Sequence, residues 1–171
     1  MSKTLELLFD FASPNVYFAY RALPTILVRT GAKLVITPCL LGGLFKLTGN
    51  RAPFEAFAGV KGKVAYEMLE IRRFVARHRL TKFRMNPHFP VNSLKLMRGL
   101  VAAQTLGVEA AYVEAGLQGL WEDGLDLADA AILAERERHV LFSGNKRYTK
   151  NGPICEAGAT YPMFLRNLII G

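Results

Sequence analysis

Long apolar runs, paired cysteines and metal-ligand spacings are what this sequence lacks. No stretch approaches the roughly 18 uninterrupted apolar residues that a membrane-crossing helix needs. The start, MSKTLELLFD, has no basic segment followed by an apolar block and a small-residue cleavage site. The expectation is a cytoplasmic protein with no membrane part. The two cysteines, Cys39 and Cys155, lie far apart and form neither a CxxC nor a zinc pattern, so they read as free thiols in a reducing compartment. No GxSxG elbow is present, and nothing in the sequence ties His78, His88 or His139 to a nucleophilic serine. No zinc, helix-turn-helix or aromatic RNA-binding signature accompanies the net charge of +8. The charge therefore reads mostly as solvated helix faces, suits an anionic partner, and does not argue for nucleic acid.

What is present is the composition of an ordinary globular protein: 171 residues, 51% hydrophobic and 21% charged. Leu5 to Phe11, LELLFDF, is a nearly continuous apolar run that suits a central strand buried on both faces. Ser13-Pro14 follows, a serine able to accept from free backbone N–H groups ahead of a proline preset for the first helical position. Val16, Tyr20, Leu23 and Leu27 continue at helical spacing through Pro24 to a stop at Gly31, and Lys33 to Thr37 reads as a second strand. The opening unit is thus strand, helix, strand.

From about Lys61 the period turns helical. Val64, Met68, Ile71 and Val75 form one stripe; Leu94, Met97 and Val101 a second; Val113, Leu117, Leu120 and Trp121 a third; and 126–140 reads as a further helix. Asn86 to Pro90, NPHFP, forces an extended connection. Ser143 to Gly158 carries the glycines, asparagines and proline of a loop, and Met163 to Ile170 suits a strand or a broken hairpin.

The carboxyl end of a central strand that runs into a helix is a favoured ligand position, because free N–H groups and the helix dipole stabilise negative charge there. Ser13 occupies it. Read alone, the serine is most simply a helix cap; with a ligand, its hydroxyl can donate to a bound thiolate and lower the thiol pKa.

The stretch FDFASPNVYFAYRALP, residues 9–24, resembles the active-serine signature of 2-hydroxychromene-2-carboxylate isomerases and kappa-class glutathione transferases. Both belong to the DsbA-like part of the thioredoxin superfamily. Further matches follow in order: Pro38, Leu41-Gly-Gly-Leu-Phe-Lys46 and Thr48-Gly-Asn50 resemble the family's loop after the second strand, and Tyr66, Glu70, Arg73 and NPHFPVNSLKLMR, Asn86 to Arg98, continue through the inserted helices. The NPHFP form is closer to the bacterial isomerase branch. The resemblance covers roughly the first 120 residues.

It implies an α/β, thioredoxin-like fold with an inserted all-helical subdomain: a single DsbA-like domain over 1–171, its thioredoxin-like part at 1–60 and 141–171 and the helical insertion at 61–140. It also implies glutathione as cofactor. Ser13 matches the serine that contacts the glutathione sulfur, standing where thioredoxin and DsbA carry the first cysteine of CxxC; Asn50 matches a glutathione-contacting asparagine, and Lys61 or Lys63 a lysine near the tripeptide. Tyr161-Pro162 matches the cis-proline pair that offers its backbone to glutathione, with Ala157 and Thr160 where relatives have glycines. Relatives continue into a segment whose aspartate holds the γ-glutamyl end, whereas this sequence stops at Gly171.

The implied activity is a glutathione-dependent isomerisation of 2-hydroxychromene-2-carboxylate-type intermediates of aromatic degradation. The thiolate adds to an electrophilic carbon of the opened ring, the former double bond rotates, and elimination returns glutathione. Lys46, Arg51 and Lys61 are candidates for the substrate carboxylate, and Phe45, Phe54 and Phe57 line either an aromatic pocket or the core. A kappa-like glutathione transferase needs the same thiolate, and a non-catalytic remnant of the family is a reading of a different class. Relatives commonly pair as homodimers. The partners implied are glutathione and a small aromatic carboxylate, with no nucleic acid, membrane or metal.

Overall fold

The computed structural model describes residues 3–143, and their side chains up to residue 138. The chain forms two compact units, Met1–Phe83 and Arg84–Gly171.

In the first unit, β1 (Thr4–Phe9), α1 (Pro14–Thr30) and β2 (Lys33–Pro38) form a parallel β-α-β unit, followed by α2 (Leu41–Thr48), α3 (Pro53–Ala56) and α4 (Lys63–His78). The strands pair from Thr4 with Lys33 to Phe9 with Pro38. Alternate side chains point to opposite faces of a strand, so Leu5, Leu7, Phe9, Leu34 and Ile36 share one face while Leu8 and Val35 lie on the other, 60% and 46% exposed. The sequence led us to expect a strand buried on both faces. Instead β1 is covered on one face and has a single partner strand among the described residues. It also ends at Phe9 rather than Phe11, because the Asp10 side chain turns back to accept a hydrogen bond from the Ala12 N–H (2.9 Å).

Helix α1 starts and stops where the local chemistry directs: Ser13 caps it, Pro14 opens it, and Gly31, at φ 67°, ends it by donating its N–H to Leu27 O. It buries more than the expected stripe. Tyr20 meets Phe9 of β1, while Tyr17 and Phe18 pack on Phe83 and Phe18 also packs on Phe74 of α4. The helix lies between the sheet and α4, so two faces carry aromatic side chains. Segment 41–48, expected as a loop, is the helix α2 despite Gly42 and Gly43.

The second unit holds α5 (Leu94–Thr105), α6 (Glu109–Trp121) and α7 (Ala130–Ser143). Val113, Leu117, Leu120 and Trp121 are fully buried, as their spacing predicts. Helix α5 is turned from its expected stripe. Leu96, Met97, Leu100 and Ala103 are buried, whereas Leu94 and Val101 are exposed, because α5 presents Gly99 to Tyr112 of α6. Helix α7 begins later than expected since Asp129 caps it, accepting from the N–H groups of Ala131 (2.7 Å) and Ile132 (3.0 Å). The NPHFP segment is closed by buried Asn86, whose amide donates to Leu120 O and Leu125 O and whose oxygen accepts from the His88 N–H. Among the described residues no helix is long and apolar enough to cross a membrane.

Candidate active site

Parallel strands put their carboxyl ends side by side, so the chain leaving β1 and the chain leaving β2 emerge at one edge of the sheet. The Cys39 N–H extends the ladder by donating to Phe9 O (2.8 Å). From this edge α1 and α2 both depart, and their first turns leave backbone N–H groups that need acceptors.

At α1, Ser13 holds an extended conformation (φ −93°, ψ 114°) and is half-buried. Its own N–H donates to Asp10 O (3.1 Å), and its Oγ accepts from the Val16 N–H (3.3 Å). A hydroxyl that accepts through a lone pair still has its hydrogen to donate. Pro14 has no N–H, and the Val16 and Tyr17 N–H groups are satisfied by Ser13. Among the described residues no group bonds the Asn15 N–H. An anion here would therefore meet one hydroxyl, one amide and the positive end of the helix dipole, fewer amides than an unproline-capped helix offers. Val16 is the only described residue hydrogen-bonded to Ser13 Oγ, so among the described residues no general base stands ready to make the serine a nucleophile.

At α2, the capping position is Leu40, which has no side-chain acceptor. The acceptor comes from Asp10, 31 positions earlier: its Oδ2 takes the Leu41 N–H at 2.8 Å while Oδ1 takes the Ala12 N–H. Asp10 is only 2% exposed. Sequence reasoning missed this residue, though an acid set inside an apolar run immediately before a turn is the visible signal.

Asn50 lies beyond the other end of α2. Gly49, at φ 65°, ends the helix, the Asn50 N–H donates to Phe45 O (2.9 Å), and the exposed Asn50 side chain accepts from the Arg51 N–H (2.8 Å). Eight helical residues rise about 12 Å, so Asn50 stands roughly a helix length from the Asp10–Leu41 contact. Lys61 is exposed in the turn before α4, and no contact among the described residues joins it to Ser13 or Asn50. Lys63 is engaged elsewhere, 3.5 Å from Glu67 and over the Phe57 ring. Phe57 is 40% exposed and Phe45 and Phe54 half-buried. Tyr161 and Pro162, the loop expected from residue 144 to Gly158 and the strand or hairpin expected over Met163 to Ile170 lie outside the described residues.

The DSBA-like thioredoxin domain model matches residues 4–140. A solved structure of a 2-hydroxychromene-2-carboxylate isomerase, in its selenomethionine form, superposes with a TM-score of 0.70 at 16% identity, over 98% of this chain and 71% of that one. That likeness establishes a shared thioredoxin-like fold of mixed α/β type. A comparison with curated proteins returned no match. With four-fifths of its length covered by one family model, the chain belongs to the DSBA-like thioredoxin domain family.

Proposed function

We propose that this protein is a glutathione-dependent isomerase acting on 2-hydroxychromene-2-carboxylate-type intermediates of aromatic degradation, with Ser13 stabilising the glutathione thiolate. The observation that carries the reading is the state of the Ser13 hydroxyl. It sits at the mouth of α1 and accepts one backbone N–H, and among the described residues nothing takes up its own hydrogen, which an incoming anion would accept. A serine in place of a cysteine at this corner removes dithiol chemistry but leaves the electrostatics that favour a thiolate. The solved isomerase of the same fold supports the reaction class.

The residues present suit a tripeptide. Ser13 and the Asn15 N–H would hold the sulfur end, and Asn50, beyond the far end of α2, would meet the tripeptide farther along; the rise of α2, about 12 Å, is comparable with a tripeptide's extended span of ~10 Å. Lys61, with no ion pair among the described residues, would meet a carboxylate of the tripeptide. Tyr161 and Pro162 are proposed to offer their backbone to glutathione, as the resemblance implies. Bound glutathione supplies a sulfur nucleophile that the chain itself lacks at this position. The protein's share is then to keep that sulfur anionic and to orient it.

The test is direct assay of 2-hydroxychromene-2-carboxylate interconversion. Turnover should require glutathione and fall by about 100-fold in Ser13→Ala at saturating glutathione, as expected for the loss of one donor to a developing or resident anion. Turnover of the wild type without glutathione, or equal turnover in the two proteins, would count against it.

A further inference from the structure

Asp10 bonds neither Ser13 Oγ nor Asn50 among the described residues, yet its carboxylate links the turn that leads into α1 with the first residue of α2. Its carboxylate is buried, and each oxygen accepts a backbone N–H: Ala12 in the turn that delivers Ser13, and Leu41 at the first position of α2. A carboxylate can satisfy both N–H groups at once, whereas an amide of the same shape turns an NH2 toward one of them and an alanine leaves both without a partner. The negative charge also sits at the amino end of α2, where the helix dipole favours it. Since α2 has no cap of its own, Asp10 is what defines where this helix begins.

We propose that Asp10 is a positioning residue of the site, a strap whose two hydrogen bonds set the placement of Ser13 relative to α2 and hence to Asn50. The inference rests on the glutathione reading and deepens it. If glutathione spans from the mouth of α1 to the far end of α2, a shift of α2 moves Asn50 away from the tripeptide while the sulfur end stays in place. Loss of the strap therefore weakens glutathione affinity and leaves the acidity of the bound thiol unchanged. Ser13 has the opposite signature, because it acts on the sulfur itself.

The strap can be cut at either end. Asp10→Asn removes one acceptor. Leu41→Pro removes the donor with little disturbance, because proline suits the first helical position; Leu41→Ala, which retains the N–H, is its control. Calorimetric titration with glutathione should show affinity reduced on the order of tenfold in Asp10→Asn and Leu41→Pro, no further loss in the double variant, and wild-type affinity in Leu41→Ala. Ultraviolet titration of the bound thiol should give the same pKa in Leu41→Pro, which leaves the Asp10 charge in place, as in the wild type, and a higher one in Ser13→Ala. If Asp10→Asn does not fold, the Leu41 pair decides alone. Wild-type affinity in Leu41→Pro, or additive losses in the double variant, overturns the strap while leaving the glutathione reading intact. No saturable heat with the wild type overturns that reading and the strap's role with it.

Discussion

The Tyr112 hydroxyl donates to Glu137 Oε1 at 2.8 Å, inside the unit formed by α5, α6 and α7. Burial, with the charge and hydrogen bond of Glu137 behind it, raises the Tyr112 pKa well above its ordinary 10.0, so the phenol stays a donor. Burial also raises Glu137 from 4.5 to about 7, only partly offset by the bond from Tyr112. The pair joins α6 to α7, and the same hydroxyl hydrogen is shared, more weakly, with Leu96 O of α5 at 3.3 Å.

This pair makes stability depend on pH. The folded chain holds the Glu137 proton more tightly than the unfolded chain, so the stabilisation is fully present below about pH 4.5. It is lost progressively as pH rises through about 7. A shift of this size corresponds to about 3 kcal/mol. Urea unfolding at steps across that window should show the decline, and Glu137→Gln, which keeps an acceptor for Tyr112, should flatten it. A wild-type stability that rises with pH over the same window, with the variant unchanged, would contradict the assignment.

Gly99 is the complement of that pair. A Cβ on Gly99 would stand 2.6 Å from Tyr112 Cζ, closer than real Cβ atoms approach, and a tight 3.0 Å from Glu137 Oε1. Gly99→Ala should destabilise by about 1–3 kcal/mol through overpacking. Combined with Tyr112→Phe, which removes the hydroxyl that the added methyl strikes first, the loss should be less than the sum of the two single variants. Strict additivity in denaturant melts would show that the two residues do not meet.

Asn86 should be among the least replaceable polar residues of the second unit. It is 3% exposed and makes three hydrogen bonds, to Leu120 O, Leu125 O and the His88 N–H. Asn86→Ala leaves buried backbone groups without partners and should cost about 3 kcal/mol. Asn86→Asp should do no better, since a carboxylate cannot donate to two carbonyls. A surface-like loss of a few tenths of a kcal/mol in thermal melts would refute the account of how NPHFP is held.

Much of the fold was legible where one local rule acts alone. Ser13-Pro14 and Gly31 bound α1, the spacing of Val113, Leu117, Leu120 and Trp121 marks the buried face of α6, and the DsbA-like resemblance gave the architecture. Features set by partners distant in sequence were not legible. Two glycines hid α2, whose start depends on a carboxylate 31 positions away. The apolar run of β1 suggested two covered faces, although strand alternation leaves Leu8 outward. Gly99 turned α5 from its apparent stripe because a missing side chain, rather than a large one, makes that contact. At the candidate site Ser13 was visible as a cap, while Asp10, whose carboxylate accepts from Ala12 and Leu41 N–H, resembled one more position of a strand.

The account depends on the mouth of α1 favouring a sulfur anion, and the most direct test is an ultraviolet titration of glutathione bound to the wild type and to Ser13→Ala. The account predicts a bound thiol in the wild type at least about one unit more acidic than free glutathione, with most of that shift gone in the variant. A bound thiol that titrates like free glutathione in the wild type would contradict it.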